Sequence, residues 1–389
     1  MVKLADAVVI GGGIMGASAA HFLAKKGLGA VVLLEKRSLA AVSTGHSAAV
    51  IRTFYSNDLT IRLSMKALEM FANGPEALGG DCDFRNTGYI CLLGEETAAA
   101  GLAVLEAEQR NHTRAVEVEA DEIGELVPGV NTDGIVSGIY EPASGYADPV
   151  RTVRNLVTRA ADWGLACYEG VGATRIRMSG DRVTGVETDA GEIRTDLVIN
   201  AAGPWGRQMG LSAGLNYSVR WSRESDLVLR LPEGYGRFPV VSDPNLRVYF
   251  RPDGENGLLA GLSFPKEVEP MDVDAYDPDL DEATRRRIES GTFERVPAFR
   301  RGEYVKGWAS VYTITDDWHP LVGTEPGLEG YYAFFGGSGH GFKLGPPIAD
   351  SLTDAILGRT PMFDLHPFRP SRFQEGDQFS SAWGGGNRG

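Results

Sequence analysis

Cysteine is scarce: Cys82, Cys91 and Cys167 are the three among 389 residues. An odd number without CxxC or metal-ligand spacing excludes a disulfide framework and a thiolate metal site, and fits a reducing compartment with structural thiols. Basic runs are absent and the formal charge is -14, which argues against nucleic acid or an anionic membrane as a partner, because both need a basic face. No apolar run reaches membrane-spanning length, and the chain begins on a strand-like "ADAVVIGGG" without a charged, cleavable leader; the expected location is cytoplasmic. Internal repeats are missing, and so is any obvious Ser-His-Asp or metal-ligand constellation.

What remains is an ordinary globular composition, 43% hydrophobic and 23% charged, in a chain too long for one compact core, so two packed domains are expected. The N-terminus carries the clearest motif. In "AVVIGGGIMGASAAHFLAKKGLGAVVLLEK" a strand, Ala7 to Ile10, leads into Gly11-x-Gly13-x-x-Gly16, a helix to about Lys26, and a second strand ending in Glu35. Gly11 suits the tight turn, Gly13 lets a pyrophosphate approach the backbone, and Gly16 lets helix and strand pack closely, while Glu35 is placed for a ribose hydroxyl. Ile14 and Met15 in the loop and Lys36 beside the acid join them as candidate cofactor contacts.

The chain then leaves this pattern through "KRSLAAVSTGHSAAVIRTFY", too polar and rich in small residues for the next strand-helix unit, and returns late. A helix near Asp148 to Trp163 precedes four short strands, "LACYEG", "ATRIRM", "RVTGVETD" and "EIRTDLVINAAG". A nucleotide domain assembled from separated segments suits an elongated FAD better than NAD. The expected fold is α/β, with a discontinuous Rossmann-type FAD domain (1-80, 141-216 and 306-379). It is interwoven with an α+β substrate domain on an antiparallel sheet (81-140 and 217-305), and 380-389 form a loose, glycine-rich tail.

Near the C-terminus "FFGGSGHGFKLGPP" follows a strand, "YYAF", and precedes "PIADSLTDAIL", read as a helix. Its glycines therefore stand at a helix N-terminus, where backbone N–H groups bind negative charge.

Taken together, "VIGGGIMGASAAHFLAKKG", "STGHSAAVIR", "VINAAGPW" and "GGSGHGFKLGP" resemble the D-amino acid oxidase superfamily, in particular its glycine oxidase, sarcosine oxidase and dimethylglycine dehydrogenase branch. The resemblance covers almost the whole chain and implies FAD-dependent oxidation of a carbon-nitrogen bond to an imine. The implied substrate is a small carboxylated amine, and oxygen or another acceptor takes the electrons. Residue-by-residue matching puts His340 and Lys343 beside the flavin pyrimidine ring and makes Arg52 either the carboxylate anchor or a neighbour of the flavin; sarcosine oxidases carry a second arginine where this chain has Ala49. Arg223 and Arg251 are the next candidates for that anchor. Tyr249 and Tyr312 match pocket tyrosines. The implied cofactor contacts are Ser43, Thr44, His46, Ser47 and Ala48 in the small-residue loop, Ala173, Ala202, Gly203 and Trp205 in the middle, and Gly337, Gly339, His340, Gly341, Phe342 and Lys343 at the end.

Three departures matter. Ser310 stands where sarcosine oxidases bond FAD through cysteine, which rules out that thioether, whereas His46 stands where dimethylglycine dehydrogenases bond the flavin methyl. Leu259 replaces a lysine that promotes reaction with oxygen. Two other readings stay open: a 2-hydroxy acid oxidoreductase with His340 as base, and a flavin-bearing subunit of a larger complex.

Overall fold

A computed structural model describes residues 1–235, 237–263 and 268–380. Its first sheet has six strands, in spatial order Leu321–Thr324, Tyr331–Phe335, Val198–Asn200, Ala7–Ile10, Val31–Glu35 and Ala166–Glu169. The last five run parallel and Leu321–Thr324 pairs antiparallel at the edge. Parallel strands buried on both faces read as continuous apolar runs, and alternation sorts their side chains to the two sides. Ala7, Val9, Val31, Leu33 and Ile199 enter one core, with the helices Ile14–Lys25, Asp58–Ala72, Pro149–Ala161 and Gly341–Ile356. Val8, Ile10, Val32, Leu34 and Val198 enter the other, beneath a three-stranded antiparallel meander, Ala173–Ser179, Arg182–Thr188 and Gly191–Arg194.

The second sheet has eight strands, ordered Glu303–Thr315, Val219–Arg230, Gly257–Leu262, Val248–Asp253, Val240–Asp243, Tyr89–Leu93, Ser137–Glu141 and Val116–Val118. It is antiparallel as expected except where Val240–Asp243 runs parallel to Tyr89–Leu93. At that pair the two sequence segments of the sheet, 81-140 and 217-305, meet. The strand Glu303–Thr315 crosses the expected boundary at 306 and pairs along nearly its whole length with Val219–Arg230.

Two local expectations need correction. "EIRTDLVINAAG" is two strands in different sheets, because the Thr195 hydroxyl donates to the Leu197 carbonyl and accepts its N–H, turning the chain between them. The C-terminal helix begins at Gly341, six residues before the expected start, and continues through Pro346 and Pro347. Proline suits the first turn of a helix, which made position 347 look like a start. The actual start places Lys343 in the first turn, where four N–H groups have no partner within the helix. The tail 380-389, apart from Ser380, lies outside the described residues.

Candidate active site

At the carboxyl ends of the parallel strands lies a cavity of about 550 Å³. It runs from Glu35 and Lys36 past the Gly11–Gly13 turn to Tyr312, Gly339 and Phe342. The N-terminal motif builds its floor. Gly11 has φ +111, and a Cβ there would lie 2.3 Å from the Ala201 carbonyl oxygen, so both the turn and the approach of the neighbouring strand require glycine. Gly16 is off the lining and permits helix packing: its Cβ would stand 1.9 Å from the Gly11 oxygen. Gly13 faces the cavity and would crowd Thr44 Oγ1 at 3.1 Å. Thr44 accepts the Ile14 N–H at 3.1 Å, and Glu35 holds the turn by accepting the N–H groups of Gly12 and Arg37.

Most predicted cofactor contacts come together here. Gly11, Gly13, Ile14, Met15, Glu35, Lys36, Ser43, Thr44, Ser47, Ala173, Ala202, Gly203, Trp205, Gly337, Gly339, Gly341 and Phe342 all line the cavity. His46 does not: its Nδ1 lies 2.8 Å from the Val42 carbonyl and its own carbonyl accepts Trp308 Nε1. Ser310 is buried and also off the lining. At the Glu35 end, Asp274 accepts Trp205 Nε1 at 2.6 Å while Lys36 Nζ sits 3.2 Å from the Trp205 ring centre. Asp274 escaped the sequence reading because it lies in an acidic connection without a motif; chain reversal alone brings it to the mouth.

A smaller cavity of about 80 Å³ opens beside the far end of the first, sharing Ser47, Gly339, Phe342 and Tyr312 with it. Arg52, Tyr249, Tyr312, Lys343, Ala48 and Ala49 line it. Lys343 therefore belongs to the small cavity, while Gly341 at the start of its helix faces the long one and Phe342 borders both. Tyr89, Val240, Ser242 and Ser263 close the wall; periodicity showed them as strand residues but not which strands would converge. Tyr249 donates its hydroxyl to Asp226. Leu259 is paired with Arg251 on the adjacent strand and sits on the same sheet face as Tyr249.

Among the described residues two basic side chains are buried at this wall, Arg52 and Lys343 at 6% and 5% exposure. The Arg52 guanidinium lies 4.5 Å from the Tyr55 ring centre and donates to the Phe54 carbonyl. Behind it Glu141 accepts the Thr53 N–H and the Ser144 hydroxyl. Burial pushes Lys343 well below the usual lysine value, Arg52 pushes the same way and Glu141 opposes. Such an amine gains its proton most readily when an anion arrives. Arg223 and Arg251 are committed elsewhere, Arg223 to Asp281 and the Asp279 carbonyl, Arg251 to the Ala48 carbonyl and Asp253. His340 stands off both linings, 1% exposed, with Nδ1 2.8 Å from the Tyr55 hydroxyl. Burial, Lys343, His319 and Arg52 keep it well below the usual histidine range, so it is neutral. A base role for His340 on a hydroxy acid therefore lacks a path to the cavity. Among the described residues no group of three or more His, Cys, Asp or Glu is placed to hold a metal ion. No described helix is long and apolar enough to cross a membrane.

A glycine-floored dinucleotide cavity joined to a small cationic cavity under a sheet defines a flavin-dependent oxidoreductase. The chain belongs to the FAD dependent oxidoreductase family, DAO, whose model matches residues 6–355; FAD is its cofactor, and a long cavity lined by Gly11, Gly13, Gly337, Gly339 and Gly341, which bring no side chains into it, fits that elongated group. The chain is 28% identical over 387 residues to rat mitochondrial dimethylglycine dehydrogenase, covering 95% of this chain and 45% of that one. It is likewise 28% identical over 402 residues to mouse mitochondrial sarcosine dehydrogenase, covering 97% and 42%. It thus spans less than half the length of these relatives. A crystal structure of L-proline dehydrogenase from P. horikoshii superposes with a TM-score of 0.91 at 24% identity, over 97% of this chain and all of that one, a likeness of fold.

Proposed function

We propose that this enzyme oxidises the carbon-nitrogen bond of a small amino acid or N-methylated amino acid to an imine, which water then hydrolyses. The observation that carries the reading is the pair of buried basic side chains, Arg52 and Lys343, on a small cavity that adjoins the dinucleotide cavity. Bound FAD supplies the hydride acceptor. Arg52 offers a planar fork matched to a carboxylate, and Lys343 adds a point charge whose proton the anion stabilises. Together they orient the substrate so that its amine-bearing carbon faces the long cavity, a positioning role that needs no side-chain nucleophile. The N–H groups of Gly341 and Phe342, at the helix N-terminus, favour negative charge developing at that end of the long cavity. The limited volume, closed by Val240, Ser242 and Tyr89, selects small side chains. The relatives named for dimethylglycine and sarcosine dehydrogenation support the substrate class.

Anaerobic mixing with a panel of N-methyl, D- and L-amino acids and 2-hydroxy acids tests the reading through bleaching of the flavin. A small carboxylated amine is expected to bleach it. Bleaching by a hydroxy acid alone overturns the amine chemistry.

A further inference from the structure

We infer that Tyr55 is the positioning residue for Lys343: its hydroxyl, oriented by His340, holds the lysine amine against the small cavity. The inference rests on the carboxylate reading proposed above.

Tyr55 ends the "RTFY" segment, is fully buried and lines neither cavity. Its oxygen accepts from Lys343 Nζ at 3.1 Å and lies 2.8 Å from His340 Nδ1. A phenol has one proton to donate and an ammonium has only donors. With Lys343 charged, the directions follow: Nζ donates to the Tyr55 oxygen, the Tyr55 proton points to Nδ1, and His340 carries its proton on Nε2. That Nε2 is buried without a hydrogen-bond partner among the described residues, so no neighbour opposes this tautomer. With Lys343 neutral the chain runs the other way, His340 donating through Nδ1 to Tyr55 and Tyr55 donating to the amine nitrogen. The only proton gained or lost is the one on Lys343; the imidazole merely changes tautomer. The heavy atoms keep their places, so Tyr55 tethers the amine in both charge states.

The surroundings hold the phenol itself. The Arg52 guanidinium and the Lys343 amine lie 4.5 and 5.6 Å from its ring centre, contacts that favour cations over the ring. Burial raises the Tyr55 hydroxyl to about 12, so it stays protonated. The groups facing Lys343 are Arg52, Tyr89, Tyr249 and Tyr312 around the small cavity, Glu141 behind Arg52, Tyr55, and His340 one turn before it. Arg52 disfavours the ammonium and Glu141 favours it. Loss of the Tyr55 oxygen removes an acceptor from the ammonium and a donor from the neutral amine; the charge-assisted bond is the stronger of the two, so the net shift in the ionisation of the amine is downward.

The test is titration of the FAD-loaded protein with acetate and propionate between pH 6 and 10, followed by flavin absorbance. Wild-type binding is expected to weaken as pH rises through the ionisation of Lys343. In Tyr55→Phe the affinity falls about tenfold and the alkaline limb moves about one pH unit lower. In a Lys343→Met background the same substitution changes nothing further, because the two residues act as one unit. A Tyr55→Phe loss that is equal with and without Lys343, or a profile identical to wild type, overturns the assignment. Should Tyr55→Phe fail to hold FAD, His340→Leu, which removes the Nδ1 partner, enters the same cycle with the same expectation. If neither carboxylate perturbs the wild-type flavin, the carboxylate reading falls and this assignment falls with it.

Discussion

Gly13 and Gly16 stand three residues apart in one motif, and the structure separates their tasks. A methyl at Gly16 would sit 1.9 Å from the Gly11 oxygen and 3.3 Å from the Ala201 Cβ. An ordinary contact of a Cβ is about 3.4 Å or more, so turn and helix must part by more than 1 Å, and both partners are backbone or fixed by it. Helix propensity favours alanine by about 1 kcal/mol, but overpacking against backbone costs about 3 kcal/mol or more, so sterics win and Gly16→Ala is destabilised by about 2 kcal/mol. At about 2.1 cal/mol/K per residue over this chain, that lowers the melting temperature by about 2 to 3 °C. A methyl at Gly13 meets only Thr44 Oγ1 at 3.1 Å, the end of a side chain that can give, so the apo-protein melts within about 1 °C of wild type. The methyl does intrude on the space a pyrophosphate needs, and FAD affinity falls about tenfold to a hundredfold. Differential scanning fluorimetry of the apo-proteins and flavin-fluorescence titration with FAD separate the two effects. Wild-type apo-stability in Gly16→Ala would refute the close approach, and undiminished FAD affinity in Gly13→Ala would refute the cradle.

Acid precipitation is expected to leave FAD in the supernatant, since Ser310 cannot form a thioether and neither it nor His46 lines the cavity; a yellow pellet contradicts this. Glu108 is buried beside Glu141, and burial together with that neighbour raises it to about 9. The folded state therefore keeps a proton that the unfolded chain releases above the ordinary carboxylate range, and stability falls as pH rises between the two values. Glu108→Gln, which resembles the protonated form, should melt progressively higher than wild type from pH 5 to pH 9; a constant gap rejects the argument. Leu259 is a buried apolar side chain at the place where the resemblance to sarcosine oxidases implies an oxygen-promoting lysine, so stopped-flow reoxidation in aerated buffer is expected to lag behind turnover with an artificial acceptor. Oxygen consumption that keeps pace with substrate reduction defeats that expectation.

Local chemistry was legible in the sequence wherever a residue's task is set by its near neighbours. The strand, glycine turn, helix and acid from Ala7 to Glu35 are all present at the spacing the dinucleotide motif demands, because each glycine answers to a contact within the motif or with the adjoining strand. Tertiary structure alone decided what distant segments do together. It split "EIRTDLVINAAG" between two sheets, joined Val240–Asp243 in parallel to Tyr89–Leu93 and carried Asp274 across to Trp205. Arg52 and Lys343 could each be matched to a family motif, but their meeting on a separate small cavity could not be read from spacing, and neither could the bridge from Lys343 through Tyr55 to His340. The reason is physical: a turn is specified by dihedral angles and contacts a few residues apart, whereas a cavity is specified by the registers of strands that pair over hundreds of residues, and a one-residue slip in any of them would turn its side chains to the other face.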